Sequence, residues 1–267
     1  MDSLPFVFYD SVAAGTKVSQ GVYPHSPKWR EAFEKQIVLR VSFEVDAAGK
    51  WFPSIRDLSG SFLEIADVRK LGRRHLRIGD LTFSGTGLRV NNAASAEEIE
   101  EIIKFLLPCF GNTTITLSYL PTMNAMKRFL PALQNSRSFT EIRVFSLCAE
   151  YEDFLKIQLK SDELQEVGVY GRDSSADLLR ELGNYALTKN FKSISCPELQ
   201  YYRDSPTRRS IFLNKATGEI EEFLQNQLRM RDDLVAIHLH GEGWSTEIKE
   251  AAEEYARFIE ERPYILS

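Results

Sequence analysis

Cysteine is scarce in this chain of 267 residues: Cys109, Cys148 and Cys196 lie far apart, and an odd, widely spaced set does not make a disulfide framework. No Lys or Arg precedes the first apolar residues, and Asp2 and Asp10 bracket them, so an export signal is not expected. Both absences predict a reducing compartment, the cytoplasm or the nucleus. No apolar run approaches the ~20 residues that a bilayer-crossing helix needs, so no membrane partner is expected. An excess of positive charge is missing too. With 33 Lys and Arg against 38 Asp and Glu, a net charge of -5 provides no field to gather nucleic acid. The basic clusters Arg69-Lys70-Leu71-Gly72-Arg73-Arg74-His75 and Arg203 to Arg209 read as solvated surface.

Motifs for chemistry are equally sparse. His238-Leu239-His240 could point two imidazoles to one face of a strand, but Ile237 and Leu239 hold the inward positions and no neighbouring motif adds a third ligand. Gly85-Thr86-Gly87 lacks the third glycine and the following helix start of a dinucleotide cradle, and reads as a turn. The carboxylate pairs Glu97/Glu98, Glu221/Glu222 and Glu253/Glu254 fall on the polar faces of predicted helices. Cys148 and Cys196, at or just past strand ends, read as small buried hydrophobes. No Ser/His/Asp or Cys/His set can be singled out, so no catalytic residue, metal or cofactor is assigned. The chain is not read as an enzyme, although an α/β enzyme stays open as the weaker alternative.

What the sequence does have is a 43% hydrophobic content and an internal repeat. An apolar-x-x-apolar-x-apolar template fits Ile78/Leu81/Phe83, then Asn112/Ile115/Leu117, Phe139/Ile142/Val144, Leu164/Val167/Val169, Phe191/Ile194/Cys196 and Leu234/Ile237/Leu239. The central positions advance by 34, 27, 25, 27 and 43 residues. Helical periodicity fills the intervals: Ile99, Ile102, Ile103, Leu106; Met123, Met126, Phe129, Leu130; Leu178, Leu179, Leu182, Tyr185; Ile220, Phe223, Leu224, Leu228; and Ile248, Ala252, Tyr255, Ile259. Ser95 with Glu98, Thr217 and Ser245 supply helix-start signals.

A strand and a helix recurring at this spacing resembles the leucine-rich repeats, in which stacked units complete one another's core. That resemblance implies an α/β fold: an irregular solenoid of parallel strands and helices, its six template strands parallel neighbours in chain order. The asparagine ladder of those repeats is absent, its slots holding Thr86, Leu120, Leu147, Arg172, Leu199 and Glu242. The long last step reads as a loop inserted around Tyr201 to Arg209. A doubly wound sheet would show the same alternation of strand and helix and stays open.

Ahead of the array stands MDSLPFVFYDSV, with Trp29 following in SPKWREAFEKQ. Proline at a first helical position is preorganised for helix entry. The Leu4-Pro5 dipeptide and the short amphipathic helix after it resemble an F-box, and the stretch looks like the start of a large nematode family of F-box-like proteins with degenerate repeats. The resemblance implies two parts: a degenerate F-box-like segment over residues 1–36 and a leucine-rich-repeat-like α/β array over 37–267. It also implies a substrate-recruiting subunit of a cullin-based ubiquitin ligase. Leu4, Pro5, Phe6, Phe8, Tyr9, Val12 and Trp29 would then bind the ligase's adaptor subunit, and the array would bind a protein target that the sequence does not identify. Gly15, Gly21, Pro24 and Pro27 stand where a standard F-box continues with helices. The alternative is a scaffold with a decayed F-box, in which Phe6, Phe8, Tyr9 and Val12 cap the open end of the array.

Overall fold

From Ile37 to Val45 apolar and polar residues alternate, and in the computed structural model this stretch is strand β1 (Ile37–Val45), with Leu39, Val41, Phe43 and Val45 buried. The structure describes residues 36–71, 73–85, 93–121, 124–136, 138–170, 174–186, 188, 190–197, 199–205, 208–213, 222, 224–225, 234–239, 244–250 and 252–253. The chain is α/β and divides into two units, Met1–Phe145 with Ser161–Leu164, and Ser146–Lys160 with Gln165–Ser267. No helix among the described residues is long and apolar enough to cross a membrane.

In the first unit β1 turns back into β2 (Trp51–Asp57), an antiparallel hairpin that the repeat template leaves unassigned. The turn follows from Asp46, whose carboxylate accepts the Lys50 N–H at 2.8 Å, and from Gly49, whose φ of 79° suits glycine. On its other side β1 runs parallel to β3 (Leu76–Gly85), with Val41 opposite Leu81 and Phe43 opposite Phe83. A bulge at Gly79 keeps this register. A Cβ there would stand 2.9 Å from Val38 Cγ1, so any larger residue would have to displace that side chain.

Strands β3, β4 (Phe110–Leu117) and β5 (Phe139–Val144) follow as parallel neighbours in chain order, as the template requires for Leu81, Ile115 and Ile142. Helix α1 (Ile65–Lys70) and the 3₁₀ turn Arg73–His75 lead into β3. Helix α2 (Ala96–Leu106) and the 3₁₀ turn Leu107–Cys109 lead into β4, and the short helices α3 (Asn124–Lys127) and α4 (Leu130–Gln134) into β5. Ser95 and Glu98 form the expected reciprocal cap on α2, which buries Ile99, Ile102, Ile103 and Leu106.

One template slot is corrected. Asn112 does not point into the core; it is half-exposed with a φ of 59°, a left-handed conformation that asparagine tolerates better than most residues. Phe110 pairs with Ile78 instead, and its ring packs 5.6 Å from that of Phe139. Buried Thr113 then donates from Oγ1 to the Ile78 carbonyl at 2.6 Å.

The second unit opens with α5 (Ala149–Gln158), a helix the periodicity reading did not mark, and continues through β6 (Glu166–Val169), α6 (Ala176–Tyr185) and β7 (Ser193–Ser195). Strands β6 and β7 are parallel, with Val167 opposite Ile194. Past β7 the expected series breaks. The residues read as an inserted loop form β8 (Leu199–Ser205) and β9 (Arg208–Leu213), an antiparallel pair lying between β7 and β10 (Leu234–Leu239). The strands of Ile194 and Ile237 are therefore not neighbours. The reason is local: QYYRDSPTRRSIFL is rich in aromatic and polar residues, with a Ser-Pro-Thr turn signal and no helical period, so its two strands pair directly.

The central template residues of the best-spaced repeats, Ile142 and Val167, are 0% and 2% exposed. Ile142→Asp buries an unpaired charge and should cost several kcal/mol, with loss of soluble protein. A melting temperature equal to that of the parent would show that the inward assignment is wrong. Thr113→Val should cost about 1–3 kcal/mol, because the Ile78 carbonyl loses its buried donor; denaturant unfolding measures this, and a change within error would contradict the hydrogen bond's assigned role.

Candidate functional site

Because one face of each strand in the first unit is buried, the other collects everything between the apolar slots. In register across β2, β1, β3, β4 and β5 run Arg56, Arg40, Asp80, Thr114 and Glu141, and beside them Ser54, Ser42, Thr82, Thr116 and Arg143. A third row holds Phe52, Glu44 and Ser84. Except for the buried Thr114, these residues are exposed or half-exposed. The face is polar and internally paired: Arg40 Nε lies 3.3 Å from Asp80 Oδ2, Thr114 donates to Glu141 at 3.0 Å, and Arg143 Nε donates to the same carboxylate at 2.6 Å. At the C-terminal end of the strands the side chains turn aromatic, with Tyr119 67% and Phe145 49% exposed.

This face argues against the doubly wound alternative within the first unit. A doubly wound sheet has helices over both faces and strands apolar on both, whereas here β3, β4 and β5 advance in one direction, β3 alternates buried with half-exposed residues, and the outward positions of β4 and β5 hold Thr114, Thr116, Glu141 and Arg143. A polar sheet face rimmed by exposed aromatics has the chemistry of a protein-binding surface, since Tyr and Phe supply area and the polar rows supply register.

The residues singled out for other chemistry have structural explanations where they are described. Gly85 ends β3 and donates its N–H to the Tyr119 carbonyl at 2.9 Å; a Cβ there would meet Pro121 Cδ at 2.9 Å, so the glycine serves a close backbone approach. Glu98 caps α2, and Glu97 and Glu100 hold Arg128 at 2.5 and 2.7 Å. Those bonds push both carboxyls below the ordinary range, with Arg128 the main cause for Glu97 and Lys104 for Glu100. Cys196 is buried as expected and Cys109 is buried too, but Cys148 is only partly so, because it stands at the N-cap of α5. Burial raises the Cys109 and Cys148 thiols, which favours their protonated form at neutral pH.

Among the described residues no group of three or more His, Cys, Asp and Glu is placed to hold a metal ion. His238 lies in β10, where the backbone alone is described, and His240 lies outside the described residues. The candidate partner-binding residues Leu4, Pro5, Phe6, Phe8, Tyr9, Val12 and Trp29 also lie outside them.

In the second unit a polar cluster joins α5 to α6: Lys156 reaches Glu152 at 2.8 Å and Asp177 at 2.6 Å, while Ser175 donates to Glu152 and Arg180 pairs with Asp177. Asp177 first, then Glu152, raises the Lys156 ammonium above its usual range. Every charge in the cluster has a partner, so it fastens two helices.

The sequence reading assigned no role to the outer rows, although their signal was present as the positions flanking each central template slot. If that face is solvated, Thr82→Glu and Thr116→Glu should each shift the melting temperature by less than about 2 °C, as surface substitutions do. A fall like that of Ile142→Asp would mean that something covers the face. Comparison of the chain with family models, with curated proteins and with solved structures finds no match.

Proposed function

We propose that this chain is a protein-recognition module, the substrate-recruiting subunit of a cullin-based ubiquitin ligase. In this reading residues 1–36 dock on the adaptor, and an irregular leucine-rich-repeat-like array presents a polar sheet face to the target. The observation that carries the recognition reading is that face, open in the first unit and edged by Tyr119 and Phe145. Recognition needs area and register, and the face supplies both. The adaptor rests on the Leu4-Pro5 dipeptide and the apolar positions Phe8 and Val12, which suit an amphipathic helix laid in a groove.

One further observation favours docking over the capping alternative. Part of the outward edge of β2 is hydrogen-bonded within the unit: Ala94 donates to the Trp51 carbonyl at 2.7 Å, Leu63 to that of Ile55 at 2.9 Å, and Asp57 to that of Ser61 at 3.1 Å. Pro53 has no N–H to offer there. At these positions the edge strand is paired by chain that follows it, which supports a role for the apolar side chains of residues 1–35 other than pairing the backbone of β2.

The test is tagged purification of the parent chain and of the Pro5→Ala, Phe8→Ala double variant, scored for adaptor and cullin subunits, with melting temperatures on both. Docking predicts adaptor with the parent, its loss from the variant at a cost on the order of 2 kcal/mol of binding, and equal melting temperatures. Capping predicts no adaptor in either sample and a less stable variant.

A further inference from the structure

Several cations of the described surface sit beside carboxylates. Arg128 has Glu97 and Glu100, Lys104 has Glu100 and Glu101, Lys70 has Asp67 at 2.7 Å, and Arg40 has Asp80. Arg69 and Arg73, from the basic cluster read as plain solvated surface, are held differently. Their guanidinium carbons stand 5.8 and 4.8 Å from the centroid of one ring, that of Phe105 near the end of α2. Both arginines are exposed, Phe105 is half-exposed, and no carboxylate among the described residues pairs with either guanidinium.

An aromatic ring orients a guanidinium through its π face without consuming the N–H fork. Two forks gathered on one ring can therefore both turn toward a ligand, each matching a carboxylate through two parallel hydrogen bonds. The surroundings add to the positive field. Arg77 is half-buried at the start of β3, where it donates to the Leu76 carbonyl at 2.6 Å, and Arg73 and Arg77 both act electrostatically on Cys109, four residues beyond Phe105. These cations also adjoin the C-terminal end of α2, whose partial negative charge steadies them. That stabilisation holds the arginines in place, and among the described residues no carboxylate takes up their forks.

We propose that Arg69, Arg73 and Phe105 form a binding site for a short acidic segment of a partner polypeptide. Charge complementarity sets the chemistry, and the size of the patch sets the length. Two guanidinium groups on one ring can engage neighbouring carboxylates of a few residues, whereas a long polyanion would run out over a chain whose net charge is -5. The site uses none of residues 1–36 and none of the outer sheet rows, so it stands or falls apart from adaptor docking.

The test uses the full chain and a fluorescein-labelled hexaglutamate peptide, read by fluorescence anisotropy. Binding should be measurable at about 0.05 M salt and weaken toward about 0.5 M, as screening requires. The double variant Arg69→Ala, Arg73→Ala should bind about tenfold or more weakly with an unchanged melting temperature, since each lost fork removes a charge-assisted bond. Arg128→Ala, which removes a cation already engaged by Glu97 and Glu100, should bind as the parent does. The inference is overturned if hexaglutamate does not bind, if the double variant binds it equally well, or if a short DNA duplex of equal charge binds more tightly. Were the double variant to unfold, Arg69→Gln, Arg73→Gln would keep the stems over Phe105 and repeat the comparison, with equal binding again overturning the site.

Discussion

Burial of a single face of the sheet is the constraint on which the first unit depends. Val41, Leu81, Ile115 and Ile142 stand in one hydrogen-bonded register and are at most 1% exposed. A strand's side chains alternate with a period of two, so a slip of one residue in any strand would turn its apolar set outward. The bulge at Gly79 and the left-handed turn at Asn112 absorb the irregular lengths of β3 and β4 without that slip. At the hairpin end the row is closed by aromatic rings: Phe43 stacks 5.3 Å from Phe83, and Trp51 meets Phe129 edge-on at 5.2 Å. With side-chain burial concentrated on this face, the opposite one is left polar, and the candidate recognition surface is its direct consequence.

Charge placement separates groups that fasten from groups that can bind. Arg128 bridges two carboxylates of α2, and Lys156 bridges α5 and α6; both are saturated. Arg143 shares Glu141 with Thr114 in the same way. Arg69 and Arg73 have ring contacts where the others have ionic ones. An exposed cation without a carboxylate is unremarkable alone, but here two guanidinium groups share one ring, and the proposed recognition of an acidic segment rests on that pair.

Much of the core was legible. The slots of Leu81, Ile142, Val167 and Ile194, and the helix faces of α2 and α6, are buried as the periodicity required, because a period of two or 3.6 reports directly which side of an element meets the core. Helix α5 and three further features escaped. The β1–β2 hairpin has no helix beside it and so no place in a strand-helix template, although IVLRVSFEV alternates plainly. The β8–β9 pair, which also has no helix beside it, reads as a loop by the same template. Asn112 was fitted by its spacing to Ile115, when the local backbone puts Phe110 in the core. Of the candidate sites, the outer rows were implicit in the template, whereas the meeting of Arg69, Arg73 and Phe105 depends on α1 and α2 coming together and has no signature in the sequence.

The claim of a one-faced sheet is tested most directly by thiol labelling at two adjacent positions of β4, Thr116→Cys and Leu117→Cys, each in a Cys148→Ser background that leaves only the buried Cys109 and Cys196. A maleimide should label the first in the folded protein at close to the rate of a free thiol and the second only on unfolding. Equal protection at both positions, as in a sheet covered on two faces, would contradict the account.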